Sequence, residues 1–243
     1  MAKNILPTIL IRAVIEIRFT KKRFGIIDQR GTIVDDLTSD NSYTKIRISS
    51  ERIDLTNDGL SKKFFLSPAN VGIQREGLSS LTKFRDTISN FLSDEILKEV
   101  VGEEQLIRIG TKASIFYFRR GMGSYEQIQK IYRQKVQNEP DALDNAVSGR
   151  IVDRSYTYDF MSDKKKGHLF MAPITKKQAI DLFFEDTEIY RNMNADHGLF
   201  FDIDVYDDEI KSLTFSDASG LSLECWDAVE STYDNLLNEL LGD

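Results

Sequence analysis

From Ile11 to Phe19 the chain alternates: Ile11, Ala13, Ile15, Ile17 and Phe19 are separated by Arg12, Val14, Glu16 and Arg18. Successive side chains of a strand point to opposite faces, so this spacing predicts a strand with one face in a core and a polar face opposite. A helix would repeat its apolar positions every 3.6 residues instead. Lys21, Lys22, Arg23 and Gly25 end the run. A lone strand cannot satisfy its backbone, so the rest of the chain must supply a sheet around it.

After a polar stretch, short strands are predicted at 43–48, 52–55, 63–66 and 71–75, with Asn57-Asp58-Gly59 as a turn between two of them. Ser79 and Ser80 offer helix caps, and Leu81, Phe84, Ile88, Phe91 and Leu92 then share one helical face. That helix is expected to run to about Lys98, with Gly102 closing the unit.

A comparable order recurs. Residues 106–118 read as a long strand. Ser124-Tyr-Glu-Gln127 has the form of a capping box, opening a helix that turns Ile128, Ile131, Tyr132 and Val136 inward. Residues 138–149 form a polar linker. Strands follow at 155–161, 168–172 and 199–206, with a short helix expected within 175–190 from a second box, Thr175-Lys-Lys-Gln178. A terminal helix carries the stripe Trp226, Val229, Tyr233, Leu236, Leu237 and Leu240. The fold class expected is α+β: two related antiparallel sheet-plus-long-helix units, 1–102 and 103–243, packed as one globular body.

Charge divides along the chain. Residues 181–243 hold 17 acidic side chains against Arg191 and Lys211, a net of −15, whereas residues 1–180 carry +8. The segment 105–137 is the most basic, with Glu126 its one acid. Such asymmetry points to a nucleic-acid or membrane partner, or to an acidic end that packs on the basic middle and cancels it. The pI of 5.1 favours cancellation.

No run approaches the roughly 20 apolar residues of a membrane helix. The N-terminal apolar stretch holds Pro7, stops at Arg12 and reaches no small-residue cleavage site. One cysteine, Cys225, forms no internal disulfide, and Glu224 and Asp227 beside it disfavour a thiolate. A cytoplasmic setting with a structural thiol is expected.

Three groups of residues carry candidate chemistry. In Arg119-Arg120-Gly121-Met-Gly123-Ser124, two arginines and two glycines precede a helix N-terminus, where free N–H groups favour an anion. The spacing is not that of a P-loop. Arg108, Lys112, Lys130 and Arg133 extend this into a nucleic-acid-binding segment. Asp202 and Asp204 share one strand face with His197 nearby, a set able to hold Mg²⁺, Mn²⁺ or Ca²⁺, or else the solvated face of a sheet edge. One cysteine and two histidines do not make a usual structural zinc site, and no Gly-x-Ser-x-Gly elbow occurs. No cofactor is expected.

Three stretches together resemble a sporadically distributed, uncharacterised bacterial protein family of about this length. They are Leu6-Pro-Thr-Ile-Leu-Ile-Arg-Ala-Val-Ile-Glu-Ile-Arg-Phe19, Ile107-Arg-Ile-Gly-Thr-Lys112 and Leu199-Phe-Phe-Asp-Ile-Asp-Val-Tyr206. No chemistry is assigned to that family, so the resemblance transfers no site residue; its patchy occurrence is compatible with a phage-defence cassette. The function expected is that of a non-enzymatic binding or interaction protein, an accessory or sensor subunit of a defence-type operon with a protein partner and room for self-association. Two alternatives stand beside it: a nucleic-acid or phosphate-binding module using 105–137, and a metal-dependent hydrolase using Asp202 and Asp204.

Overall fold

The computed structural model describes residues 9–20, 25–39, 43–118, 123–136, 155–184 and 195–242. Its strands are β1 (Ile9–Phe19), β2 (Lys45–Ile48), β3 (Ile53–Asn57), β4 (Lys62–Leu66), β5 (Asn70–Leu78), β6 (Leu106–Tyr117), β7 (Tyr156–Ser162), β8 (Lys165–Thr175) and β9 (His197–Asp207). They form one antiparallel sheet of nine strands in the order β2-β3-β4-β5-β1-β6-β9-β8-β7. With helices packed against this sheet, the fold is α+β.

The sheet is centred on β1 and β6, which pair from Leu10 opposite Phe116 to Arg18 opposite Arg108, with Ala13 facing Ala113 midway. Outward from that seam the strand order is the same on both sides. The last strand of each half, β5 or β9, lies against the first, and earlier strands follow towards the edge. The sheet is therefore continuous between the segments 1–102 and 103–243.

The alternation of β1 is realised as expected: Ile11, Ala13, Ile15 and Ile17 are wholly buried, while Arg12, Val14 and Glu16 are half-buried on the other face. The buried face meets helices α1 (Gly25–Asp28), α2 (Arg30–Thr38), α3 (Thr82–Ser93), α4 (Glu95–Val101), α5 (Tyr125–Val136) and the long α7 (Ser219–Leu241). Trp226 of α7 is fully buried with its ring 4.8 Å from Phe84 of α3, and Tyr233 meets Phe201 of β9 edge-on. Burying side chains of this size contributes about 1.5–3 kcal/mol each.

Local chemistry departs from the sequence reading in three places. The polar stretch after β1 contains α1 and α2, because Ile26, Ile33, Val34 and Leu37 find places in the core. The helix expected to run from 81 to 98 is two helices. Asp94 leaves helical geometry at ψ 119° and its carboxylate accepts from the Leu97 N–H, capping α4. The cap expected from Ser79 or Ser80 falls on Leu81, without a side-chain hydrogen bond. The linker expected at 138–149 lies outside the described residues.

Both capping boxes form. Thr175 and Gln178 bond reciprocally at the start of α6 (Lys176–Phe183), and Ser124 and Gln127 do so before α5. No helix among the described residues is long and apolar enough to cross a membrane.

Gly72 on β5 is a tight point. A Cβ there would lie 2.3 Å from the Ile15 carbonyl oxygen and 2.3 Å from the Phe65 ring. Gly72→Ala is expected to cost about 1–3 kcal/mol by overpacking, measured as a lower urea midpoint. Gly110→Ala, whose added carbon would come no closer than 3.3 Å to Tyr206 Cβ, is expected to lose less. Cys225 is fully buried and its thiol is pushed up to about 12 by that burial. It is expected to resist iodoacetamide at pH 8 in the native protein and to react once urea unfolds the chain.

Candidate anion-binding groove

Away from the helical layer, the sheet presents the even-numbered side chains of β1, β6 and β9. At one end this second face is covered by α6. Ala179 is buried there beside Leu10, Phe116, Ala172, Ile174 and Phe200, and Phe183 stacks on Phe200 at 3.9 Å. Beyond α6 the face is open, and a groove of about 660 Å³ runs across β4, β5, β1 and β6 to β9. That volume falls in the range of small-ligand sites.

Gly110 lies in its floor. Phe65, Gly72, Glu16, Gly110 and Tyr206 are cross-strand neighbours in one row. Gly110 leaves a trough beside Glu16, whereas the space over Gly72 is filled by the Phe65 ring. The adjacent row reads Lys63, Gln74, Val14, Lys112, Asp204, His168 and Asp159.

Cations dominate the lining. Arg12, Arg18, Arg52, Lys63, Arg108 and Lys112 face the groove against Glu16 and Asp204. Several are held by carboxylates or amides of a neighbouring strand. Arg12 donates to the Gln74 side chain and to the Phe183 carbonyl, both at 2.9 Å, with Glu76 at 3.6 Å. Lys112 pairs with Asp202 at 2.7 Å, Arg52 with Asp54 at 2.8 Å, Arg108 with Asp204 at 3.4 Å, and Arg18 with Glu16. Ion pairs this exposed add little stability; their effect is to fix where the cations point.

The residues singled out in the sequence fall into separate places. Asp202 and Asp204 do share the open face, as the alternation required, but both are engaged. Asp202 also accepts a hydrogen bond from the Ser114 hydroxyl at 2.6 Å. His197 lies on the opposite face and about 16 Å along the strand, at roughly 3.3 Å per residue. Its Nε2–H donates to the Gly123 carbonyl at 2.8 Å. The three are therefore not brought together, and no group of three or more His, Cys, Asp or Glu side chains able to hold a metal occurs among the described residues.

Arg108 and Lys112 line the groove, whereas Lys130 and Arg133 sit on α5 in the helical layer. The four candidate nucleic-acid contacts thus lie on two faces of the sheet. Of the loop before α5, Arg119, Arg120 and Gly121 lie outside the described residues. Gly123 has φ +86°, where a Cβ would strike the Gln127 side chain, and the Ser124 N–H is already bonded to Gln127 Oε1 at 2.7 Å.

Four groove cations were not singled out from sequence: Arg12, Arg18, Arg52 and Lys63. A signal existed for two of them, since Arg12 and Arg18 occupy the polar parity of the clearest strand. For Arg52 and Lys63 it did not, because their convergence depends on strand order.

Searches of protein-family models and of curated proteins match nothing to this chain.

Burial raises the Asp204 carboxyl above its ordinary 3.8, with Arg108 and Lys112 pulling the other way. The native state therefore holds this proton more tightly than the unfolded chain, and its contribution to stability falls as pH rises from 3.8 through the raised native value. Asp204→Asn lacks this loss. Urea midpoints taken upward from pH 3.8 are expected to rise for the variant relative to the parent protein.

Proposed function

We propose that this chain works by binding and that its groove receives a phosphate-bearing ligand. The observation that carries the reading is the convergence of six cations on one open recess, five of them oriented by a carboxylate partner. A phosphate recruits pre-oriented guanidinium and ammonium donors most strongly, and Arg supplies a planar fork for its oxygens. Neighbouring carboxylates hold several of those donors in place before a ligand arrives, which lowers the ordering cost of binding. The whole-chain charge of −7 does not oppose this, because a local field at a recess is set by the groups that line it.

The phosphate-binding alternative drawn from sequence, on the basic segment 105–137, is kept, with its location moved to the sheet face. Arg108 and Lys112 belong to both versions. On the resemblance of the three strands to a sporadically distributed bacterial family, the setting we assign to this binding is an accessory or sensor subunit of a defence-type operon. A protein partner would then act on the bound state.

The test is equilibrium binding of inorganic polyphosphate and of a fluorescein-labelled 20-nucleotide single strand at 50 and 200 mM salt. Affinity is expected to fall steeply with salt. Arg18→Ala and Lys63→Ala, two changes at the groove wall, are each expected to reduce the slope of log K against log salt by about 0.7 for a single strand. Absence of binding to either polymer at 50 mM salt refutes the proposal.

A further inference from the structure

We infer that the ligand of the groove is a single strand of nucleic acid, gripped by bases stacking on the guanidinium planes of Arg52 and Arg108. The inference rests on the phosphate-binding reading and adds a second kind of contact to it.

The two arginines are held in the same way on opposite sides of the recess. Arg52 lies over the Phe65 ring with Cζ 4.7 Å from the centroid, and Arg108 lies over Tyr206 at 3.9 Å. In each case a carboxylate takes the edge of the guanidinium: Asp54 bonds Arg52 Nε at 2.8 Å and Asp204 bonds an Arg108 terminal nitrogen at 3.4 Å. Each guanidinium is thus held between a ring and an acid. Both side chains line the groove, where a ligand can reach them. Phe65 is buried beneath Arg52, at 6% exposure. A ligand there meets the Arg52 cation set over the ring.

A flat, delocalised cation anchored from behind is a platform for a nucleobase, and single strands are recognised by such stacking on aromatic rings and Arg planes. Between the platforms stand Lys63, Arg12 and Lys112, suited to the phosphates that link the bases. Phe65 and Tyr206 stand on strands separated by four inter-strand steps. At about 4.8 Å per step this is about 19 Å. At about 3.4 Å per stacked nucleotide, it corresponds to five or six nucleotides.

A duplex fits this arrangement poorly. Its bases are stacked on each other and expose only edges, which are read by a helix or ribbon entering the major groove. Here the cations sit in a recess of the sheet, and the stacking faces need an unpaired base.

Fluorescence anisotropy decides it, with three labelled probes: a 12-nucleotide single strand, an abasic 12-unit strand with the same phosphates, and the blunt duplex of the first. The base-bearing strand is expected to bind about tenfold or more tightly than the abasic one, and more tightly than the duplex. Arg52→Lys and Arg108→Lys, made singly and together, keep the charge and remove the plane. They are expected to bring the ratio of base-bearing to abasic affinity close to one in the double variant, with the urea midpoint of each variant reporting the fold.

Equal affinity for base-bearing and abasic strands, or preference for the duplex, overturns the stacking inference while leaving phosphate binding in place. Failure of all three probes to bind removes the phosphate reading as well.

Discussion

The antiparallel pairing of β1 with β6 is the constraint on which the rest of the molecule depends. It joins the first strands of the two halves over most of their length, with Ala13 and Ala113 facing each other at the middle. Each of these strands then has its own half's last strand on its outer side, so four of the longest strands form the centre of the sheet. One parity of residues on them goes under α7, which lies across β6 and β9. The other parity becomes the floor of the groove. A shift of one residue in this register would reverse one strand relative to the other and send either Arg12 and Arg18 or Arg108 and Lys112 into the core.

That same seam resolves the division of charge along the chain. β9 brings Asp202 and Asp204 from the acidic end against β6, where Lys112 and Arg108 meet them, and Asp208 just beyond the strand pairs with Lys166. On the helical side Arg85 is paired with Asp227 and Glu230 of α7. The acidic end therefore packs against cations of the earlier chain, as the low pI favoured. On the open face the same pairing holds the cations of β1 and its neighbours in fixed positions around a recess that Gly110 helps to open.

How much of this was legible in the sequence varies with the range of the interaction involved. Strand β1 was read from its alternation, β6 as a long strand ending in an apolar run, and both capping boxes from four-residue patterns, because the physics that produces them acts between near neighbours. α1 and α2 were not, since Ile26, Ile33, Val34 and Leu37 are too sparse to reveal a helical face without the core that receives them. The break at Asp94 was hidden for a related reason. An aspartate inside an apolar helical stripe reads equally as an exposed position or as a cap, and only its backbone angle decides. Two of the groove's six cations, Arg12 and Arg18, sat in plain alternation, but the candidate residues picked out as a set, Lys130 and Arg133 with Arg108 and Lys112, were near in sequence and are parted by the sheet.

The sequence by itself determined which segments are strands, which face of each is polar, and that Cys225 is an inert buried thiol. Those outcomes follow from side-chain alternation and from the charges beside each residue. Only the tertiary structure decided that Arg12, Arg52, Lys63 and Arg108 would share one recess, and that His197 would leave Asp202 and Asp204. The cause is strand order and register, which are fixed by burial of the whole helical face and not by any local pattern along the chain.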